Sequence, residues 1–422
     1  MFRRTSILCL EVIIGFFAVV GILLVGTAWR ISQGPVSLKF LLPYADRVLN
    51  DEAGQVLVQV EDVFLTWAGW ERALDLRAEG LDFRAPDGGR LARIREVSLS
   101  LSFRALLEGA IAPTSLEIIR PRILLVRAEA GDFRLGLGAL SEQGTEASDA
   151  PQENALRPLI DSLSGPARPD SPFRFLNQIR VLDGVLRVND RKMNVTWGAR
   201  HADISLNRRP DGLLAVADLE PSLPGEPQLN ASVQFLKDQG RIEARLNFSG
   251  INPSLVAGSF PELAAAKAAN VPLRGTLTAT ADTEGNLLAG AFGLTAGKGT
   301  IAIEGSGLKP IAIAGAEFAG NISRAPDQIT LSSGRVRLAD GNAALNATLT
   351  RTGPLASVVA SLNVDSLKVD SLGKYWPENA VAGGRNWVLA NIQGGEVRNA
   401  VANVTAHIDL EGERAGAFEV DS

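Results

Sequence analysis

The segment "LNASVQFLKDQGRIEARLNFSG", residues 229–250, predicts a β-hairpin. Successive side chains of a strand point to opposite faces, so a strand with one buried face alternates apolar and polar residues. Both arms of this segment alternate in that way around a turn at residues 237–240. The apolar positions are Leu229, Ala231, Val233 and Phe235 on the first arm, and Ile242, Ala244, Leu246 and Phe248 on the second.

The same alternation recurs over most of the chain. Val97, Leu99 and Leu101 alternate with serines, and "SLEIIRPRILLVR" (115–127) predicts two strands broken at Pro121. Short alternating runs separated by Gly, Asp or Pro are typical of antiparallel sheets. The chain is therefore predicted to be mainly β.

Composition narrows the function classes. The 422 residues are 46% hydrophobic, which excludes general disorder, and the net charge of −5 argues against a nucleic-acid partner. Cys9 is the one cysteine, and His201 and His407 are the two histidines. These three residues cannot form an intrachain disulfide or a Cys/His metal cluster, and neither histidine follows a nucleophile motif. We expect no enzyme, no catalytic residue, no metal site and no cofactor.

Residues 1–30 predict a cytoplasmic tip and a single transmembrane anchor. Arg3 and Arg4 precede an apolar stretch, residues 7–29, that is long enough for a bilayer, which needs about 20 residues. The positive-inside rule then leaves the N-terminus in the cytoplasm and exports the rest. A cleaved signal peptide is the alternative, with Gly26-Thr27-Ala28 as its cleavage site. The predicted anchor residues are Leu8, Ile13, Phe17, Leu23 and Trp29.

Glu11 lies inside this apolar stretch, where a carboxylate is costly and is a candidate contact for a partner in the membrane. It lies about one turn from the cytoplasmic end, so snorkelling to the surface is the alternative.

The exported part divides by composition. Residues 31–140 form a first β-region, and residues 141–172 a Ser/Pro/Gly-rich linker. Leu156, Leu159, Ile160 and Leu163 predict one short amphipathic helix in that linker. Residues 173–422 form a repetitive β-region with helical interruptions at 252–270 and 369–397. Its last residues keep the strand alternation, so we expect the chain to be the N-terminal portion of a longer protein.

So many one-sided strands need a cover for their apolar faces. Packed sandwiches, a membrane β-barrel and an open apolar groove would each provide one, and the sequence lacks the aromatic girdles of a barrel. On an exported, membrane-anchored protein, a groove suits acyl chains. The candidate groove residues are Val97, Leu99, Leu101, Val233, Phe235, Leu246, Phe248, Ile301 and Ile303.

Several segments, taken in order, carry a resemblance to a known family. After the apolar N-terminus come "VSLKFLLPYADRVLN" (36–50), the strand succession 56–127 with "ALLEG" (105–109), and "IRVLDGVLRVNDR" (179–191). The most specific segment is "YWPENAVAGGRNWVLANIQGGEVRNA" (375–400). In this order the chain resembles the AsmA-like superfamily of Gram-negative envelope proteins, in particular its YhdP-like branch.

The resemblance implies an N-terminal transmembrane helix followed by a long, curved antiparallel sheet that forms an elongated open groove, with a few short helices. It implies a protein of the inner membrane, with its bulk in the periplasm, that carries phospholipids towards the outer membrane and supports its barrier. Phospholipid acyl chains and the inner membrane are the expected partners, with outer-membrane or periplasmic proteins as further ones. The alternative function is a non-enzymatic scaffold or assembly factor whose sheet edges pair with proteins.

Overall fold

The computed structural model of the chain describes residues 19, 26, 29–30, 33–42, 57–66, 75–84, 90–102, 105, 112–129, 133–137, 174–192, 194–258, 260, 266–302, 308–324, 327–353, 355–377, 382–409 and 418–421. The described strands belong to one hydrogen-bonded sheet. Its first strand pairs with one neighbour, Leu65 and Phe64, and its last pairs with one neighbour, residues 403–406, so the sheet is open. The chain divides into unit 1 (Met1–Leu124 and Leu135–Gly184) and unit 2 (Leu125–Arg134 and Val185–Ser422).

Six strands lie wholly in unit 1, and three contribute to both units. The six are β1 (Val36–Ser37), β2 (Leu57–Gln59), β3 (Asp62–Thr66), β4 (Asp75–Arg84), β5 (Arg90–Leu101) and β6 (Pro113–Ile119). The three are β7 (Arg122–Arg127), β8 (Phe133–Leu137) and β9 (Gln178–Asp190). In unit 1, β1, β3, β4, β5 and β6 pair in that order and antiparallel, and β2 pairs with the end of β4.

The sheet is mixed, and the expectation of a purely antiparallel sheet was wrong at one place. Residues 178–182 of β9 pair parallel with residues 115–119 of β6. Parallel neighbours need a connection of a dozen or more residues, and the 58 residues between Ile119 and Gln178 supply it.

The predicted break at Pro121 is confirmed. Pro121 is fully buried between β6 and β7, and Arg120 before it adopts a left-handed conformation with φ 51°. The Arg120 N–H donates to the Leu182 carbonyl (2.8 Å), so the backbone stays bonded across the break. The small core of unit 1 lies nearby, with Ile94, Val97 and Ile118 buried against one another.

Unit 2 is an antiparallel meander. Its strands are β10 (Val195–Arg209), β11 (Gly212–Pro221), β12 (Gln228–Leu236), β13 (Arg241–Ile251), β14 (Ala269–Asn270), β15 (Leu273–Asp282), β16 (Leu287–Ala296), β17 (Gly299–Ile301), β18 (Ile311–Arg324), β19 (Asp327–Leu338), β20 (Gly341–Thr352), β21 (Leu355–Lys368), β22 (Glu396–Asp409) and β23 (Phe418–Asp421). The short strands β14 and β17 pair with each other, and β17 pairs with the start of β18.

The hairpin predicted at residues 229–250 is confirmed as β12 and β13. Leu229 lies opposite Phe248, and Phe235 opposite Ile242, in unbroken register. A 3-10 turn, Lys237–Gln239, joins the strands and ends at Gly240 with φ 56°. Glycine takes this left-handed conformation without steric cost.

The described helices are short. They are 3-10 turns at Lys39–Leu41, Lys237–Gln239 and Val369–Ser371, and α-helices α1 (Pro253–Val256), α2 (Leu372–Tyr375) and α3 (Ala382–Asn391). The interruption expected at 369–397 is confirmed by α2 and α3. In the interruption expected at 252–270, α1 starts at Pro253, where the Asn252 side chain accepts from the Ser254 N–H (3.2 Å).

Some of the residues for which the sequence predicts a role lie outside the described ranges. The linker 141–172, Ile303, and the predicted membrane residues Leu8, Glu11, Ile13, Phe17 and Leu23 are among them. Trp29 is described and is helical and exposed. Within the described ranges, no helix has both the length and the apolar character required to cross a bilayer.

Candidate functional site

One face of the unit 2 sheet is apolar from β10 to β22. Residues directly opposite each other on antiparallel strands share a face, so the register identifies the whole face. Two rows of directly opposed residues cross all ten successive pairings and a third crosses the first nine, and every member is Ala, Val, Leu, Ile, Phe or Gly. At ~4.8 Å between strands, each row runs roughly 50 Å along the sheet. We call this surface the apolar face.

Each row crosses the strands in the order of their pairing. The first is Leu206, Ala215, Val233, Ala244, Ala279, Gly290, Ile322, Ile329, Leu349 and Val358. The second is Ile204, Ala217, Ala231, Leu246, Leu277, Phe292, Gly320, Leu331, Ala347, Ala360 and Val404. The third is Ala202, Leu219, Leu229, Phe248, Gly275, Leu294, Phe318, Gly334, Leu345, Leu362 and Ala402.

The opposite face is largely polar and carries a ladder of side-chain hydrogen bonds. Across β11, β12, β13 and β15, the Asn230 amide donates to Asp218, the Asn247 amide donates to Asn230 (3.3 Å), and the Thr276 hydroxyl donates to Asn247 (2.8 Å). The asparagines that recur before an apolar residue and a Ser or Thr therefore belong, at these positions, to the wet face of a strand. The two faces are chemically distinct surfaces.

Large side chains on the apolar face remain in contact with solvent. The exposed fractions are 42% for Val233, 39% for Leu277, 44% for Ile329 and 38% for Leu362. A second sheet packed on this face would bury such residues in a core. Phe235, Leu246 and Phe248 on the same face are half-buried among their neighbours.

Phenylalanine rings on this face lie against glycines of the neighbouring strand. Phe248 is opposite Gly275, and Phe292 is opposite Gly320. A Cβ added to Gly320 would lie 2.4 Å from Phe292 Cζ, and one added to Gly275 would lie 3.0 Å from Phe248 Cζ. Phe318 and Gly334 form a third such pair, at 3.2 Å. The glycines leave room for the rings to lie low on the sheet.

One end of the apolar face is covered. Around β14, β17 and the start of β18, four residues are buried together, and Ile301 packs against them. The four are Val271, Ala296, Ile313 and Ala316. This cluster is the local core of unit 2, and the exposed part of the apolar face begins beside it.

The candidate groove residues fall into three groups. Val233, Phe235, Leu246 and Phe248 come together on the apolar face. Ile301 belongs to the covered cluster. Val97 belongs to the core of unit 1, with Leu99 and Leu101 half-buried on the same strand. Much of the apolar face, including Leu277, Phe292 and Ile329, was absent from the sequence prediction, although the same alternation marked those strands.

Unit 1 carries a buried polar network on one face of β4, β5 and β6. The Ser98 and Ser100 hydroxyls donate to the two carboxylate oxygens of Asp75 (2.7 and 2.9 Å), and Ser115 donates to Ser100 (2.9 Å). All four residues are buried. Each of the three serine hydroxyls donates to an acceptor within the network, and the bonds join three strands. The network therefore stabilises the fold of unit 1.

The described residues contain no group of three or more His, Cys, Asp or Glu side chains placed to hold a metal ion. His201 Nε2 lies 3.4 Å from Asp203 Oδ2 at the surface of β10. His407 lies on β22 opposite Ser357. No protein family, curated protein or solved structure matches this chain.

Proposed function

We propose that this protein carries the acyl chains of phospholipids along the apolar face of unit 2. The observation that supports this most is the unbroken set of apolar rows in which Val233, Leu277, Ile329 and Leu362 stay exposed. Monomeric proteins rarely expose apolar patches beyond a few hundred Å², and larger ones mark sites for apolar ligands or partners.

The chemistry of the face suits a sliding chain. Its side chains offer no hydrogen bond, so an acyl chain gains apolar contact without a fixed binding position. Each 100 Å² of apolar surface covered contributes about 2.5 kcal/mol to the binding of an acyl chain. This contribution is similar at successive positions along the rows, so no single position traps the chain. The polar ladder on the opposite face keeps that side in water, so a lipid has one preferred side.

The cellular setting is part of the same proposal. Residues 1–30 anchor the chain in the inner membrane, and the sheet lies in the periplasm and moves phospholipid between the inner and outer membranes. The support is the apolar stretch after Arg3 and Arg4 and the resemblance to AsmA-like proteins. A groove formed by the curvature of the sheet would complete the carrier.

Phospholipid that copurifies with the full chain tests this proposal by quantitative mass spectrometry. We expect stoichiometric phospholipid on the native protein and a severalfold loss with Leu277→Asp, because a carboxylate on an apolar path is strongly desolvated. The matched control is Val359→Asp, since Val359 is also exposed but lies on the opposite face, between Thr348 and Thr405. Lipid-free native protein, or equal losses in both variants, would contradict the proposal and favour the scaffold function.

A further inference from the structure

An open cavity of ≈ 590 Å³ lies in unit 1 and is lined by charged side chains. Four arginines contribute to its wall: Arg93 and Arg95 from β5, and Arg120 and Arg122 from the two sides of Pro121. Glu61, Glu79 and Glu96 line it as well. Volumes of 300–1,000 Å³ are usual for small-molecule sites.

The glutamates neutralise the arginines of the cavity only in part. Arg93 Nη2 binds Glu61 Oε1 at 2.8 Å, and Glu96 Oε1 lies 3.1 Å from Arg77 Nε. The side chains of Arg95, Arg120 and Arg122 have no hydrogen bond or ion pair with any residue in the described part of the chain. Among the described residues that line the cavity, three guanidinium groups therefore stand against one remaining carboxylate, that of Glu79, so this part of the wall has an excess of positive charge.

The backbone has a left-handed conformation at two positions of the cavity wall. Arg120 has φ 51°, a left-handed conformation that is unfavourable for an L residue with a side chain. The buried Pro121 and the bond from the Arg120 N–H to Leu182 maintain it. Gly80 has φ 65°, and the Glu61 side chain occupies the space that a Cβ at residue 80 would need. The strained conformation of Arg120 is of a kind that is concentrated at functional sites.

We propose that this cavity binds a phosphate group, as a free phosphate or as the headgroup of a lipid. Guanidinium groups bind phosphate oxygens through paired, charge-assisted hydrogen bonds, and Arg95, Arg120 and Arg122 have such donors available as far as the described residues go. The proposal is independent of acyl-chain carriage, because the cavity lies in unit 1 and the apolar face in unit 2.

Isothermal titration of the full chain, in a nonionic detergent and phosphate-free buffer, tests the site. The probes are inorganic phosphate and dihexanoyl phosphatidic acid. The main variant combines Arg120→Asn with Arg122→Gln, since asparagine tolerates the left-handed conformation that residue 120 adopts. Arg95→Gln is the second variant, at an exposed strand position. The control is Arg274→Gln on β15, an exposed arginine of unit 2 that removes the same charge.

We expect at least one probe to bind the native chain, and the double variant to bind it about 10-fold or more weakly. Arg95→Gln weakens binding as well, and Arg274→Gln leaves it within twofold. Equal affinity for both probes identifies free phosphate as the ligand class, and binding of the lipid alone identifies the headgroup.

No binding of either probe to the native chain would overturn the site, and so would equal binding by the native chain and by both cavity variants. Equal weakening in Arg274→Gln would overturn it too, because binding would then follow net charge. Leu277→Asp should leave phosphate binding unchanged, so failure of this site and failure of lipid carriage are distinguishable.

Discussion

Single glycines determine how the phenylalanine rings lie on the apolar face. At Gly320, an added Cβ would meet the Thr330 carbonyl oxygen at 2.2 Å as well as the Phe292 ring. At Gly293, on the wet face of β16, an added Cβ would meet nothing within 4 Å. Gly293 follows Phe292 in the chain and Gly320 lies directly opposite Phe292, so the two glycines form a matched pair around one ring.

Gly320→Ala should therefore destabilise the protein by about 1–3 kcal/mol, because the ring and the neighbouring strand must move. Gly293→Ala should be neutral or stabilising by up to ~1 kcal/mol, since it only restricts the unfolded chain. Urea unfolding of both variants measures the difference. Equal stabilities would show that the Phe292 ring does not need Gly320.

The Asp340 carboxylate accepts a hydrogen bond from Lys374 Nζ (3.0 Å), which connects the β19–β20 turn to α2. This bond, together with Ser371, holds the pKa of Asp340 below its usual value of 3.8. A lowered carboxyl pKa stabilises the folded state above pH 3.8, and that stabilisation is lost as the pH falls through the folded-state pKa. The same bond raises the pKa of Lys374 above 10.5.

Lys374→Gln should accordingly move the pKa of Asp340 up towards 3.8. An NMR titration of the Asp340 side chain in the native chain and the variant measures this shift. An unchanged pKa would mean that Ser371 and the other neighbours of Asp340 lower it without Lys374.

At the scale of strands, the alternation of apolar and polar residues predicted the features that depend on residues close together in the chain. The β12–β13 hairpin, the break at Pro121 and the helical interruption before β22 were all visible in the sequence, because each depends on neighbouring residues. The parallel pairing of β6 with β9 was not visible, since it joins segments 58 residues apart. The covered cluster around Val271 was missed for a different reason: β14 and β17 are too short to show an alternating pattern.

The stability of β4, β5 and β6 depends on the buried carboxylate of Asp75. Asp75→Ala would leave the Ser98 and Ser100 hydroxyls without their acceptor inside the fold. We expect a loss of about 3 kcal/mol or more, because each buried donor without a partner costs about 1–3 kcal/mol. Thermal or urea unfolding provides the measurement.

The control for this prediction is Asp238→Ala, at an exposed position in the turn between β12 and β13. It should change the stability by no more than about 0.5 kcal/mol. A similar small effect of Asp75→Ala would mean that the network does not tie β4, β5 and β6 together.

At the scale of the molecule, the candidate sites arise from register rather than from any one segment. Each strand shows its own apolar positions, but only the pairing brings Val233, Leu277, Phe292 and Ile329 onto one face. The charged cavity is a stronger example, because Arg93 lies on β5 and Arg120 follows β6, and the pairing of β5 with β6 brings both into one wall. The arginines of "RLARIRE" and "IIRPR" were visible in the sequence, but their shared cavity was not.

The most direct test of lipid carriage is site-specific photo-crosslinking in intact cells, with the photoreactive residue at Val233 or at Val359. Both are exposed valines of unit 2, on the apolar and the opposite face respectively. We predict phospholipid adducts from position 233 and none above background from position 359. Adducts to protein alone from position 233, or lipid adducts of equal yield from both positions, would contradict the account.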